Sequence, residues 1–297
     1  MRFTKITVAL AAAGSAVAQR PTNTSICDYY TTALFKNNTA GNQYTLLTAL
    51  VNTVVIGNYT QPNVGVAVPG ILAKGTFNGS EVNLLPYFDG TLNSTNRGGT
   101  SGVSVNFLDG GGAEPLKNNK PANDDKSNQY FLLTHLYEFF GSLLGCSMQG
   151  MTGFAAYNGD PSMFKVHRFM NLDPNQLGYF VQQVALAGAS FGVANEDLEG
   201  VGKALNQLFG LRCAPPVEVI KPQGPQLQAI CIQQSCPLSP DAVCNQYEAP
   251  ISSASSTATT GPTATGTAPT STVSTAGAAA AGWGVAAAAV GVAALLL

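Results

Sequence analysis

The chain has 297 residues, a formal net charge of -2, and charged side chains at only 10 % of its positions. No basic stripe of the kind that grips nucleic acid can be assembled from so few charges. Hydrophobic residues make up 45 %, enough for one domain with a real core.

Residues 1–18 read as a secretory signal. Arg2 and Lys5 give a positive start, an apolar run follows, and Ala16-Val17-Ala18 is a small-x-small cleavage site. The mature chain is expected to begin at Gln19, with residues 19–249 forming the folded domain. Five N-glycosylation sequons, at Asn23, Asn37, Asn58, Asn78 and Asn93, fall in the first third. Within it, "YTLLTALVNTVVIG" is apolar enough for a helix despite its Val and Thr content. Residues 58–126 are rich in Gly, Asn and Pro and read as a long irregular insertion, with a short hairpin around "GVAVPGILAKGTF".

The second half carries stronger helix signals. Ser127 can cap a helix that places Leu132, Leu133, Leu136, Phe139, Phe140 and Leu143 on one face and stops at Gly145. An apolar segment follows at Tyr157–Leu172, "YNGDPSMFKVHRFMNL", and holds one of the chain's two histidines. Asp173-Pro174-Asn175-Gln176 combines an N-cap, a first-turn proline and a capping-box Gln, predicting a helix to about Gly192. Asn195 is the expected cap of the next, with Leu198, Val201, Leu205 and Leu208 on one face. The tail 213–249 is Pro- and Cys-rich and reads as a disulfide-pinned wrap.

Residues 250–275 are almost entirely Ser, Thr, Ala, Pro and Gly, a composition that buries no core and suits an O-glycosylated stalk. Residues 276–297 form a weakly apolar, uncharged end, the pattern of a GPI signal attached near Ser274–Gly277; a tail-anchoring helix is the alternative. Six cysteines in a secreted chain imply three disulfides of open pairing, rather than a zinc site, because neither histidine lies near the cysteine cluster. These features together resemble GPI-linked glycoproteins of fungal cell surfaces, for which the membrane is reached through the GPI lipid and cell-wall glycans are candidate partners.

One local repeat stands out. Residues Asn42–Leu50 and Asn128–Leu136 agree at seven of nine positions, and His135 replaces Ala49. No nucleophile elbow accompanies either histidine. The run "DGGGAEP" lacks the strand-to-helix setting of a phosphate loop.

The order of "LLPYFDGTLN" (Leu84–Asn93), "YEFFGSLLGC" (Tyr137–Cys146), the Tyr157–Leu172 segment and two closing amphipathic helices resembles the truncated haemoglobins. The match spans 84–93 and 127–211, and Met163 to His167 repeats that family's Met-to-His interval. The resemblance implies a mainly α, globin-like helical bundle holding haem b, with His167 as proximal iron ligand and Phe88 stacked on the porphyrin. Leu132, Leu136, Met163, Phe164, Val166 and Met170 would then be apolar walls, and a neutral imidazole among them suits iron. The family's polar distal residues are replaced by Val51, Leu132 and Leu136, which leaves His135 as the polar distal candidate and second possible metal ligand. Two functions follow: a cell-surface haem protein for haem capture, ligand sensing or peroxidase-like work with a diatomic or peroxide ligand, or a cofactor-free structural or adhesive wall glycoprotein on the same scaffold.

Overall fold

The computed structural model describes residues 19–60, 63–97 and 99–248. The segments read as signal, stalk and GPI tail lie outside the described residues. The described chain is helix-rich, with helices α1 (Ile26–Phe35), α2 (Ala40–Ile56), α3 (Ala113–Lys117), α4 (Asn128–Leu143), α5 (Met163–His167), α6 (Pro174–Ser190) and α7 (Asn195–Phe209). Two separate hairpins, β1 (Gly75–Phe77) with β2 (Ser80–Val82) and β3 (Asp89–Thr95) with β4 (Val103–Asn106), interrupt them. None of the described helices is long and apolar enough to cross a membrane.

The capping chemistry explains most of the helix starts. Ser127 accepts from the Tyr130 backbone, and Asp173 and Gln176 close the expected capping box. Thr39 caps α2 through the Asn42 backbone, so that helix begins four residues before the apolar run expected to form it. The expected cap at Asn195 is corrected: Asn195 is the first helical residue, behind Ala194, and makes no side-chain cap. The start of α7 is held from α1 instead. The Tyr30 hydroxyl accepts from the Ala194 backbone at 2.9 Å and donates to Asp197 Oδ2 at 2.8 Å, while Arg20 pairs with Asp197 at 2.9 Å. Asp197 sits in the first turn, where the helix dipole favours a negative charge.

The insertion 58–126 is more ordered than its composition suggests. The hairpin expected around 65–77 is displaced. Its turn is Asn78-Gly79, both at positive φ, flanked by the Phe77–Ser80 pair, as a two-residue hairpin requires. β1 then locks onto α6 through two close approaches. A Cβ on Gly178 would strike the Phe77 ring, and one on Gly75 would strike Tyr179. Four sequon asparagines, Asn23, Asn37, Asn58 and Asn78, are exposed; Asn93, in β3, is half-buried.

The core lies where α2 packs on α4 and α6, with α7 on α6 and α1 on α2. Tyr137, Tyr179, Phe154 and Phe169 are its largest fully buried side chains. The six cysteines form Cys27–Cys146, Cys213–Cys244 and Cys231–Cys236. The first staples α1 to the end of α4; the other two pin the C-terminal wrap.

Candidate functional site

The segment with His167 is less helical than its apolar spacing suggests. Only Met163–His167 is α-helix; a 3-10 turn, Arg168–Met170, follows, and Asn171 at φ 48° ends it. Ser162 caps α5 by accepting from the Lys165 backbone. The wrap holds the same end: Ser162 Oγ donates to the Leu227 carbonyl at 2.7 Å, and the Phe164 backbone donates there at 3.2 Å.

His167 is half-buried. Its Nδ1 lies 2.8 Å from the Met163 carbonyl one turn back. A carbonyl can only accept, so Nδ1 carries the proton. Burial favours the uncharged ring and lowers its pKa, against the opposing pull of that hydrogen bond. The ring is therefore neutral, with the Nε2 lone pair available. His135 makes the same kind of bond, Nδ1 to the Phe131 carbonyl at 2.7 Å, and lies against the Phe131 ring at 4.1 Å and edge-on to Tyr157 at 5.9 Å.

The residues expected to wall a haem are partly brought together. β3 packs against α5 and the 168–170 turn, and the Tyr87 hydroxyl reaches the Met170 carbonyl at 3.2 Å, so the Phe88 and His167 segments are neighbours. Phe88 and Leu132 line one cavity with Val55, Leu72, Leu116 and Gln129. That cavity admits about 10 Å³, room for a single water and far below a porphyrin. None of Met163, Phe164, Val166, His167 and Met170 lines it. Met163, Phe164 and Met170 are buried in protein, and the Phe164 ring is covered edge-on by Tyr247 of the wrap at 4.6 Å. Val166 and Leu136 are half-buried against the core. Of the expected wall residues, Phe88 and Leu132 thus share this cavity, and the 163–170 segment packs apart from it. Among the described residues no three His, Cys, Asp or Glu side chains cluster to hold a metal ion.

What the interior does hold is a set of buried glutamines, each fastening a connection to the helical core. Gln43 on α2 donates to Asp28 and Asn38, both at 2.7 Å, and accepts from the Met148 backbone at 3.0 Å. Gln129 on α4 binds both the N–H and the C=O of Gly112, at 2.8 and 2.9 Å, and the Pro121 carbonyl at 2.9 Å. Gln183 on α6 accepts from the Gly70 backbone at 3.0 Å. Gln228 in the wrap joins the Pro161 carbonyl at 2.9 Å to the Met163 backbone at 3.3 Å. All four are at most 1 % exposed. A primary amide offers two donors and an acceptor, which matches a loop backbone where no ladder is available.

Sequence spacing alone does not mark these glutamines as buried. One signal was present: Gln43 and Gln129 occupy the same position of the nine-residue repeat, as do the buried Leu47 and Leu133. The repeat therefore marks two mutually packed helices, α2 and α4, that use the same residue to capture a loop.

One carboxyl in the region is strongly perturbed. Burial pushes Glu138, on α4, up to about 7, and a hydrogen bond from the Asn158 backbone opposes the rise. Tyr157, which feels this carboxylate, is itself raised, first by burial and then by Asp160 and Glu138. No protein family, curated protein or solved structure matches the chain.

Proposed function

We propose that the chain is a cofactor-free, extracellular glycoprotein whose folded domain is a rigid head borne on the Ser/Thr-rich stalk, with a structural or adhesive role at a cell wall. The observation that supports this reading is the glutamine clamping. Loops at residues 38, 70, 112, 121, 148 and 161–163 are tied to buried amides. Ligand-gating loops are drawn from the weakly held end of a structure, and these are not. Three disulfides and four exposed sequon asparagines are in keeping with life outside the cell. Attachment through a GPI lipid and contact with wall glycans belong to the same proposal.

The test is deletion of residues 19–249 from a chain that keeps leader, stalk and tail. Cells displaying the headless chain are expected to lose adhesion or wall integrity relative to cells with the full chain. Unchanged adhesion and wall integrity would overturn the proposal.

A second reading, a haem-binding and globin-like head, is favoured by one observation: the neutral His167 ring with Nδ1 fixed and Nε2 free is the tautomer an iron ligand needs. Bound haem would supply oxygen or peroxide chemistry. The absorption spectrum of the purified domain after haem supplementation separates the two readings. A Soret band that survives desalting, and that His167→Ala abolishes, selects the second; no band selects the first.

A further inference from the structure

The contact between Arg168 and Glu248 is unequal. The Arg168 side chain is 8 % exposed and its partner Glu248 is 72 % exposed. Arg168 sits in the turn after α5, its guanidinium 4.8 Å over the Phe169 ring, and Phe169 is itself fully buried. Nη1 binds Glu248 Oε2, while Nε is buried and has no partner. One turn earlier, the Phe164 and Tyr247 rings pack edge-to-face at 4.6 Å. The Tyr247 hydroxyl donates to the Ala214 carbonyl at 2.6 Å. Tyr247 and Glu248 follow the last covalent tie of the wrap, Cys213–Cys244.

A guanidinium does not lose its proton at any ordinary pH. Buried without an anion it is costly, because desolvation of the charge is then uncompensated. The domain has therefore built the cation and its aromatic floor rigidly into its interior, and takes the anion from a surface side chain beyond the last crosslink. The fork of a guanidinium holds a carboxylate through two parallel bonds, yet Glu248 meets one nitrogen and leaves Nε unused.

We propose that Arg168 and Phe164 form a binding site for an acidic peptide segment, an aromatic residue followed by a carboxylate, and that Tyr247-Glu248 fills it in this chain as a tethered, displaceable ligand. The strap can peel back only to Cys244, where the disulfide stops it. The site is independent of the role proposed above, since it needs neither haem nor a wall partner.

The experiment uses the full secreted chain carrying Glu248→Ala, with acetate as the probe at constant ionic strength. Glu248→Ala is expected to lower Tm by roughly 5 °C. Acetate then restores Tm saturably, and it does so neither in the wild type nor in Glu248→Ala/Arg168→Met. Glu248→Gln, which keeps the shape of the side chain, guards against a folding failure and should respond to acetate in the same way. In Tyr247→Ala/Glu248→Ala, the acetylated and amidated peptide of residues 245–249 should bind, and its Glu→Gln version should not. An unchanged Tm in Glu248→Ala, or an acetate response equal in all variants, overturns the site.

Discussion

Tyr137 donates its hydroxyl to Asn52 Oδ1 at 2.6 Å across the buried interface of α4 and α2, and Asn52 Nδ2 passes the connection to the Leu116 carbonyl at 3.2 Å. The phenol and the amide are both 0 % exposed. Burial raises the Tyr137 pKa far above the usual phenol range, ahead of smaller effects from Tyr44 and Tyr59, so the group is a permanent donor. The pair, with the edge-to-face contact of Tyr44 and Tyr137 at 5.7 Å, gives direction to the packing of the two helices.

Tyr137→Phe should therefore cost about 1–3 kcal/mol, because Asn52 Oδ1 is left buried without a donor. Asn52→Leu should cost a similar amount by stranding the phenol, while the Leu116 carbonyl keeps its backbone partner Asn119. The double variant should lose less than the sum of the two, as expected for partners in contact. Urea unfolding of the three variants gives the coupling; strict additivity would mean the bond contributes nothing.

Gln129 offers a local rather than global test. Gln129→Leu keeps the volume but abandons the Gly112 and Pro121 carbonyls and leaves the Gly112 N–H with only the Leu108 carbonyl. Amide exchange at residues 110–123 should quicken by about tenfold for each 1.4 kcal/mol lost, with α6 and α7 unaffected. Exchange that quickens uniformly would show that the amide supports the whole core and not one loop.

Glu138 predicts a pH dependence with a definite sign. Its folded pKa of about 7 lies above the unfolded value of 4.5, so the folded state holds the proton more tightly. Below about 4.5 both states are protonated and no penalty exists; as pH rises towards about 7 the unfolded state ionises first and stability falls, and above that the penalty is constant. Glu138→Gln should flatten this part of the Tm–pH curve and should raise Tm at neutral pH. A steeper curve in the variant, or a Tm that falls through this window by the same amount in both proteins, would contradict the assignment.

The disulfides should differ in weight. Cys27–Cys146 closes a sequence separation of 119 and Cys231–Cys236 one of 5. On loop-closure entropy alone, replacing the first pair with Ala should cost about 5 kcal/mol and the second about 2 kcal/mol. Thermal melts of the two double variants rank them, and the reverse order would place the stabilisation in the compactness of the wrap.

Glycan mapping of the chain expressed through a secretory pathway tests the sequons. Occupancy should be high at Asn23, Asn37, Asn58 and Asn78 and lowest at Asn93, which is half-buried in β3 beside the Gly102 backbone. Full occupancy at Asn93 would require β3 to pair with β4 only after glycosylation.

Much of the helical scaffold was legible in the residue order, for a local reason. Ser127, Asp173 and Gln176 act on N–H groups two or three residues away, and the apolar stripes of α4, α6 and α7 repeat with the helix period, so both signals survive without knowledge of the rest of the chain. Where local and distant partners competed, the distant ones won. Asn195 lost its capping role to Tyr30 and Asp197, which come together only after α1 folds against α7. The Asn78-Gly79 turn is a local signal too, and it lies at the end of the Gly65–Phe77 run rather than within it. Cysteine pairing, the route of the wrap over Phe164, the burial of Arg168 and the targets of the four glutamines depend on residues up to 119 positions apart. Spacing along a chain carries no information about such contacts; packing in three dimensions assigns them, because each buried polar group must find a partner wherever the fold supplies one.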